Sequence, residues 1–398
     1  MVNKCNCGSN PLQVAEECAN LAFELEKHHT QLVQILVSVQ SREASDDELF
    51  KATDLLSNVG CEQVESYFGI GPGAAFLPLN LPLYSLVLFG VMPSLFCSPM
   101  SVRPPVIMRQ VVTQIMDVLG HIPLMRRLAI HESSRRDFVQ SIAQRSALVS
   151  FTGRLSNVNE LRPFFSPKQL ILFHGQGANP VVVADDADLD LAVAKSLRVK
   201  CFNSGQDCAS PDTILVHRRV VAQFTELLCQ QIKELQIGQY STGASIGPLL
   251  DHNQLLNAAE HLSHWRNNIV FGGRLSFLDG VVFPTVILSS LSDGKVNRTE
   301  LFAPIWQVSE YDSDDNLIEY FEHPQYRQHA MYVSLFGTSN YLTNQTHTQV
   351  LKGKTVIEAE RGYLEYGGSG MGSSFVQFNG RTDARPILIS REIVKAFQ

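Results

Sequence analysis

The stretch Phe202-Asn-Ser-Gly-Gln-Asp-Cys208 decides the fold of this chain, because it brings one cysteine out of a polar, glycine-containing turn directly after an apolar run. Such a turn presents a nucleophile. A thiolate is the reactive form of cysteine, and backbone N–H groups at a turn both lower its pKa and cradle an oxyanion formed beside it. The alternative is that Cys208 is one of eight ordinary cysteines, since free cysteine is among the most buried residue types.

Residues 202–208 resemble the catalytic-cysteine signature of the aldehyde dehydrogenase superfamily, F-N-x-G-Q-x-C, with every fixed position matched. Upstream, Asn179-Pro-Val-Val-Val183 and the acidic run Asp185-Asp-Ala-Asp-Leu-Asp190 are similar to the family's apolar strand and D-A-D-L-D helix start. Together the blocks cover residues 170 to 217 without a gap. The resemblance indicates membership of this superfamily, and five landmarks in family order extend it over residues 77 to 370.

The composition is that of an ordinary soluble protein. With 398 residues, 44% hydrophobic and 18% charged, the chain suffices for two or three units and a sizeable core. A net charge of −7, a sequence pI of about 5.9 and the lack of a basic run argue against a nucleic-acid partner.

The longest apolar run, roughly residues 74 to 97, is long enough to suggest a membrane span. Three prolines and an asparagine break it, so the sequence predicts a buried strand–turn–helix and no membrane association. The polar start is not followed by a signal peptide, and eight irregularly spaced cysteines favour a reducing cytoplasm. Cys5-x-Cys7 has no second ligand pair nearby, so it is interpreted as a disordered tip and no metal site is predicted.

Two sets of alternating strands and helices follow an N-terminal helical region, which predicts an α/β fold with parallel sheets. Residues 11 to 60 show apolar positions at helical spacing and predict two or three amphipathic helices. The predicted strands of the first set are residues 74–79, 95–102, 148–152 and 170–173. Those of the second set are residues 213–217, 285–288, 305–310 and 332–336, with a helix over 220–235.

The family resemblance implies a Rossmann-type nucleotide domain and an α/β catalytic domain. We predict N-terminal helices and an NAD(P)-binding domain over residues 1–176, a catalytic domain over residues 177–365, and a C-terminal segment, 366–398, that returns to the nucleotide domain. The chain is shorter than the usual family length, so the family's oligomerisation arm is expected to be reduced. A homodimer is a possible assembly, although a reduced arm argues against the family's full dimer or tetramer contacts.

The catalytic roles follow from the resemblance, which implies that Cys208 is the nucleophile. Leu77-Pro-Leu-Asn-Leu-Pro82 resembles the family's P-W-N-x-P turn. The match implies that Asn80 donates a hydrogen bond to the oxyanion together with the backbone N–H of Cys208. Taken alone, an asparagine between prolines is first of all a turn former, and that interpretation stays open.

The adenosine side of an NAD or NADP site is implied by two further stretches. Arg103-Pro104 aligns with the family's K-P pair beside the ribose, and arginine keeps the charge while adding a fork suited to phosphate. Val106 stands where an acidic or small residue is usual, which slightly favours NADP over NAD. Phe151-Thr-Gly-Arg154 resembles the F-T-G-S turn that faces the pyrophosphate, so Gly153 and Arg154 are candidates, and Arg154 either reaches a phosphate or obstructs it.

The nicotinamide side is implied by Glu300-Leu-Phe-Ala-Pro304, which resembles E-x-F-G-P. Glu300 is expected to hold the nicotinamide ribose and Phe302 to line the ring site. Tyr366-Gly-Gly-Ser-Gly370 resembles the family's late F-G-G loop. The charged residues just before that loop, among them Glu360, are as consistent with a solvated loop as with a substrate mouth, so they receive no role.

The base is where the chain departs from the family. Hydrolytic members use the glutamate of L-E-L-G-G, and gapless counting sets His174 at that position, in Leu172-Phe-His-Gly-Gln-Gly177. A neutral imidazole is a competent general base for water or for the thiol. Alternatively, loss of the carboxylate removes hydrolysis and leaves the thioester for another acceptor, or His174 merely fills space at a domain junction.

The leading hypothesis is an NAD(P)-dependent aldehyde dehydrogenase that acts on a small-molecule aldehyde through a thiohemiacetal and a thioester on Cys208. The second is an acylating or thioester-reducing enzyme that uses coenzyme A or a carrier protein, and so handles an acyl thioester. The third is a scaffold without catalysis, which Val106, Arg154 and His174 would mark.

Overall fold

The computed structural model describes residues 10–398 apart from 63, 65, 295, 297, 299, 346 and 347. A helical region precedes two α/β halves, each built on a seven-stranded sheet, and a small two-stranded sheet accompanies the second half. Cys5 and Cys7, interpreted above as a disordered tip, lie outside the described residues.

Within the described ranges the strands are β1 (Gly71–Phe76), β2 (Cys97–Arg103), β3 (Leu128–Ile130), β4 (Leu148–Thr152), β5 (Leu170–His174), β6 (Val181–Val183), β7 (Thr213–His217), β8 (Ile269–Phe271), β9 (Leu275–Ser276), β10 (Val281–Val282), β11 (Thr285–Ser290), β12 (Ile305–Tyr311), β13 (Tyr332–Phe336), β14 (Gln349–Lys352), β15 (Ser374–Phe378) and β16 (Arg381–Asp383).

The α-helices of the same ranges are α1 (Pro11–Lys27), α2 (His29–Leu36), α3 (Arg42–Ser57), α4 (Pro82–Leu86), α5 (Met92–Ser94), α6 (Arg109–Leu119), α7 (Pro123–Arg126), α8 (Arg135–Ser141), α9 (Leu155–Leu161), α10 (Leu189–Cys201), α11 (Val221–Ile232), α12 (His252–His264), α13 (Asp314–Glu322), α14 (Pro324–His329), α15 (Asn340–Thr343), α16 (Val356–Ala359) and α17 (Ile389–Phe397).

The first sheet has the strand order β16-β15-β5-β4-β1-β2-β3. Strands β1 to β5 are parallel, whereas β15 pairs antiparallel with β5. Its inner strands are runs of buried apolar residues, as a parallel sheet covered on both faces requires. The four predicted strands are confirmed, although β1 begins three residues earlier and β2 two residues later than predicted. Strands β15 and β16 come from the C-terminal segment; the domain bounds themselves stay a prediction.

The second sheet has the order β14-β13-β6-β7-β12-β11-β8, and only β8 runs antiparallel to its neighbour among these strands. Strands β7 and β13 have the predicted bounds, and β11 and β12 extend slightly past theirs. The helix predicted over 220–235 is α11. The sequence of this half alternates strand and helix, which is the pattern that places helices on both faces of a parallel sheet.

The long apolar run folds as β1, a turn, a helical stretch from α4 to α5 with a π-helical segment at Val87–Val91, and then β2. This confirms the predicted strand–turn–helix. Helices α1 to α3 pack over it, and their buried faces join the same hydrophobic core as residues of β1, α4 and β2. In the described part of the chain, no helix combines the length and apolarity needed to cross a membrane.

Candidate active site

One cavity of about 390 Å³ is lined by all eight residues that the sequence singles out. It lies where the carboxyl ends of β1, β2, β4 and β5 face the turn that follows α10. The eight residues are Asn80, Arg103, Gly153, Arg154, His174, Cys208, Glu300 and Phe302. Ligands of open α/β sheets bind at this edge, so the cavity is the candidate active site.

The turn before Cys208 is held in an unusual backbone shape. Asn203, Ser204 and Gly205 have φ values of 48°, 55° and 75°, three consecutive residues in the left-handed region. A side chain at residue 205 would place its Cβ 2.5 Å from the carbonyl oxygen of Ala303, so this position requires glycine. The Ser204 hydroxyl lies 2.6 Å from the hydroxyl of Tyr240, and this hydrogen bond holds the turn in place.

Cys208 is half-buried, and its Sγ lies 3.1 Å from the hydroxyl oxygen of Tyr366. Burial raises the pKa of the thiol well above its ordinary value, and the Asp207 carboxylate raises it further. The hydrogen bond from Tyr366 acts in the opposite direction. Cys208 therefore holds its proton in this state. We call this part of the cavity, lined by Tyr84, His174, Cys208, Glu360 and Tyr366, the thiol end.

Asn80 is buried at the turn before α4, and its side-chain amide donates a hydrogen bond of 3.1 Å to Asp207. Burial raises the pKa of Asp207 to about 6, although the nearby Lys51 opposes the shift. The Asn80 amide thus contacts the residue directly before Cys208, and its hydrogen bond is already used by that residue. Sequence reasoning missed Asp207; the signal was an acidic residue at the variable position directly before the cysteine.

His174 ends β5 and is only 6% exposed. Its ring lies 5.0 Å from the ring of Phe89, and its Nδ1 has no hydrogen-bond partner among the described residues. Burial lowers the pKa of His174 to about 4, so the imidazole is neutral at physiological pH. A base with so low a pKa binds a proton weakly.

Three arginines also line the cavity, and we call the part that they line the arginine end. Arg103 ends β2, Arg135 begins α8 and Arg154 precedes α9. Arg103 donates a hydrogen bond of 3.1 Å to the carbonyl of Ser133, and Arg109 donates one of 3.2 Å to the same oxygen. Burial lowers the pKa of Arg103, and Arg109 and Arg135 lower it further, which is the mark of crowded positive charge.

Glu300 and Phe302 also line the cavity. Gln176 donates a hydrogen bond of 2.7 Å to the Glu300 carboxyl. Burial raises the pKa of Glu300 to about 8, with a smaller contribution from Asp212. Gln176 was not singled out from the sequence, because it stands at a position where the family pattern has a glycine and no side chain is expected.

A buried ion-pair cluster lies behind the thiol end. The Lys51 Nζ, in α3, lies 2.8 Å from a carboxylate oxygen of Glu360 and 3.2 Å from one of Asp47, and the lysine side chain is 3% exposed. Burial opposes its charge, but the two carboxylates hold the pKa of Lys51 above its ordinary value. Glu360, left without a role by the sequence, thus joins the cavity to α3.

Glu48 fixes the Asn80 turn from the same helix. Its carboxyl accepts hydrogen bonds of 3.1 Å and 3.0 Å from the backbone N–H groups of Leu83 and Tyr84, at the start of α4, and one of 2.6 Å from Gln40. Burial raises the pKa of Glu48 to about 8, although these hydrogen bonds oppose the shift. No sequence motif links residue 48 to the turn.

The described residues form no group of three or more His, Cys, Asp and Glu side chains able to hold a metal ion. The donor set of the arginine end suits phosphate groups instead, because guanidinium groups bind phosphate oxygens in pairs. Gly153, with a φ of 145°, adopts a backbone shape that favours glycine beside this end.

A family model described as the aldehyde dehydrogenase family matches residues 70–377. Among curated proteins, 3-sulfolactaldehyde dehydrogenase of Pseudomonas putida is 32% identical over 148 residues, 36% of this chain and 30% of that protein. The NADP(+) succinate-semialdehyde dehydrogenase GabD of Escherichia coli (strain K12) is 32% identical over 147 residues, with the same shares. The match thus spans about a third of the length of these curated relatives.

Solved structures match over most of the chain. The succinate-semialdehyde dehydrogenase from Burkholderia pseudomallei has a TM-score of 0.79 at 19% identity, covering 92% of this chain and 83% of that one. Betaine aldehyde dehydrogenase from Staphylococcus aureus in complex with NAD+ has a TM-score of 0.77 at 17% identity, covering 94% and 82%. These likenesses confirm the predicted fold, a Rossmann-type half and an α/β catalytic half. Since the family model matches residues 70–377, which are most of the chain, the chain belongs to the aldehyde dehydrogenase family.

Proposed function

We propose that the protein oxidises an aldehyde with NADP, or less readily NAD, through a thiohemiacetal and a thioester on Cys208. One observation carries this proposal: a single cavity holds the turn-mounted thiol of Cys208, the amide of Asn80 and an end lined by three arginines. The curated relatives named above are aldehyde dehydrogenases, one of them NADP-dependent by its name, which supports the same reaction class.

The residues of the arginine end fit a dinucleotide phosphate. When bound, the nicotinamide nucleotide supplies the hydride acceptor. Arg103, Arg135 and Arg154 would hold its phosphates, while Glu300 and Phe302 would face its nicotinamide half. Positive charge is already crowded around Arg103, so an additional phosphate relieves repulsion there, and this favours NADP over NAD.

Cys208 begins the chemistry once its thiol has lost a proton. Its sulfur forms a bond to the carbonyl carbon, while the π electron pair of the carbonyl moves to oxygen. The Tyr366 hydroxyl, 3.1 Å from the sulfur, is placed to hydrogen-bond the thiolate. The backbone N–H of Cys208 and the amide of Asn80 are the donors for the oxyanion, and Asn80 must release Asp207 to serve.

The release of the acyl group distinguishes two candidate functions. Hydrolysis needs a base to deprotonate water, and a neutral His174 with a pKa of about 4 is a poor one. This observation favours a second candidate, in which the thioester passes to a thiol such as coenzyme A or a carrier-protein arm. In that case the incoming thiol brings its own nucleophile, and the chain needs no water-activating carboxylate.

We also propose a reducing location, the cytoplasm. The described cysteines Cys18, Cys61, Cys97, Cys201, Cys208 and Cys229 are all free thiols. The proposed chemistry requires one of them, Cys208, to stay reduced, and a reducing compartment keeps it so.

Calorimetric titration of NADP and NAD, followed by turnover assays, tests the proposal. We expect NADP to bind at micromolar strength and more tightly than NAD, and an aldehyde panel to yield reduced nucleotide. If steady turnover requires added coenzyme A, the second candidate function is supported. Failure of both nucleotides to bind would overturn the proposal and favour a scaffold without catalysis.

A further inference from the structure

The ion-pair cluster behind the thiol end holds more carboxylates than cations. Lys51 is shared between Asp47 and Glu360. It also lies close enough to Asp207 to oppose the rise that burial causes in the pKa of that carboxyl. The cluster therefore contains three carboxylates and one lysine. Asp207 and Glu360 both raise the pKa of Cys208, so their negative charge acts on the site where an aldehyde would react.

An anionic aldehyde finds no cationic side chain among the residues that define the thiol end. Arg103, Arg135 and Arg154 belong to the arginine end, and none of them is among the main influences on the pKa of the Cys208 thiol. Arg361, the cation next to Glu360 in sequence, points elsewhere: its Nε lies 3.5 Å from an Asp54 oxygen, and its guanidinium donates to the carbonyl of Glu360 at 2.7 Å. This contrasts with the relatives whose names specify succinate semialdehyde or sulfolactaldehyde, both of which carry an anionic group.

The remaining walls suit a group that donates hydrogen bonds. His174 lines the cavity, and its Nδ1 is buried without a partner among the described residues. Because the imidazole is neutral, one ring nitrogen accepts a hydrogen bond. Tyr84 and Tyr366 add aromatic rings next to Glu360, and such rings attract a cation placed over their faces.

We propose that the substrate is an aldehyde with a protonated amino group, which Glu360 binds as an ion pair at the thiol end. The proposal rests on the proposed function and narrows its substrate to the class of amino aldehydes. A carboxylate and two tyrosines in one cavity match the ammonium group in charge and in aromatic contact, and the neutral imidazole of His174 beside them adds no competing positive charge.

The test compares three aldehydes with three carbons each: the cationic 3-aminopropanal, the neutral propanal and the anionic 3-oxopropanoate. We expect kcat/KM to be highest for the cationic aldehyde, by about tenfold over the neutral one, as one charge-assisted contact provides. In Glu360→Gln the ratio between cationic and neutral substrates should fall to near one. Glu365→Gln, on the same loop but paired with Arg391 at the surface, is the matched control and should keep the ratio. A ratio near one in the wild type, or a ratio unchanged in Glu360→Gln, overturns the proposal.

Lys51→Met covers the case in which Glu360→Gln fails to fold. It removes the cation that shares Glu360, so the preference for 3-aminopropanal should increase, and a decrease contradicts the proposal. A binding assay separates this inference from the proposed reaction: propylammonium and propionate are titrated into Cys208→Ser. Glu360-dependent binding of propylammonium, together with no turnover of any aldehyde by the wild type, would retain the cation site and reject the reaction. Turnover of an aldehyde by the wild type, together with equal binding of propylammonium and propionate, would retain the reaction and reject the cation site.

Discussion

The two ends of the cavity differ in charge and in how far their side chains are already committed. At the arginine end, burial lowers the pKa of Arg103, and the positive charges of Arg109 and Arg135 lower it further. In the ion-pair cluster behind the thiol end, carboxylates outnumber the single lysine. Around the thiol, Asn80, Lys51 and Cys208 all have hydrogen-bond or ion-pair partners. The comparison teaches that the arginine end offers positive charge, whereas at the thiol end the proposed reaction requires existing hydrogen bonds to break.

Removal of the sulfur at the thiol end has the largest expected effect. Cys208→Ala should lower turnover by roughly ten-thousand-fold, because no other group there forms the covalent intermediate. NADP binding should persist, since the arginines of the arginine end are unchanged. Assays of reduced nucleotide and calorimetry measure the two properties on the same sample. Cys61→Ala, an exposed thiol, is the control and should keep its activity; substantial turnover by Cys208→Ala would refute the assigned nucleophile.

Removal of one charge from the arginine end has the next largest effect. Arg103→Met should weaken NADP binding by about tenfold to a hundredfold and NAD binding by less than about threefold, because only NADP carries the extra phosphate. Calorimetric titration at two salt concentrations checks this. Arg218→Met, whose exposed guanidinium pairs with Asp312 in the second half, should leave both affinities unchanged. Equal losses for the two nucleotides would mean that Arg103 does not read the extra phosphate.

The charge at the thiol end sets a smaller, titratable effect. Asp207 raises the pKa of Cys208, so Asp207→Asn should lower that pKa and shift the pH midpoint of thiol alkylation downward. Alkylation rates measured against pH, with Cys208→Ala as the blank, give the midpoint. Asp185→Asn, a change of the same kind at an exposed pair with Arg219, should leave it in place. An unmoved midpoint in Asp207→Asn would show that this carboxylate is not part of the thiol's environment.

The smallest expected effect concerns stability. The folded-state pKa of Glu48, about 8, lies above its unfolded value of 4.5, so its stabilising contribution is complete below pH about 4.5 and is lost as pH rises through about 8. The Tm should therefore fall by a few degrees across that range, and Glu48→Gln should flatten the fall. Thermal melts at several pH values measure it. Glu365→Gln should retain the slope of the wild type, and a slope retained by Glu48→Gln would argue against a protonated Glu48.

Local motifs were sufficient to predict the main frame of the fold and eight of the residues that line the cavity. Neighbouring residues encode the strands at 213–217 and 332–336 and the turn before Cys208, so these elements can be predicted from the sequence. Strands β15 and β16 were missed because they are short and partly polar, and they are strands only because β5 offers an edge.

The charges at the thiol end could not be predicted for a similar reason. Lys51 and Glu360 are 309 residues apart in sequence, and neither lies in a motif. Their pairing exists only after α3 has packed against the catalytic half. The same applies to the pKa of His174, which an imidazole in water would hold near 6.5 and which burial alone moves to about 4.

The antiparallel pairing of β15 with β5 has a consequence for biosynthesis. Strand β5 is complete when the ribosome has translated residue 174, but its outer edge stays unpaired until residues 374–378 emerge. Throughout that interval a nascent chain exposes an apolar strand edge, which is a template for aggregation. Overexpressed protein should therefore depend on chaperones until residues 374–378 have been translated, and a truncation within β15 should lower its yield more than an equal change at the N-terminal helices.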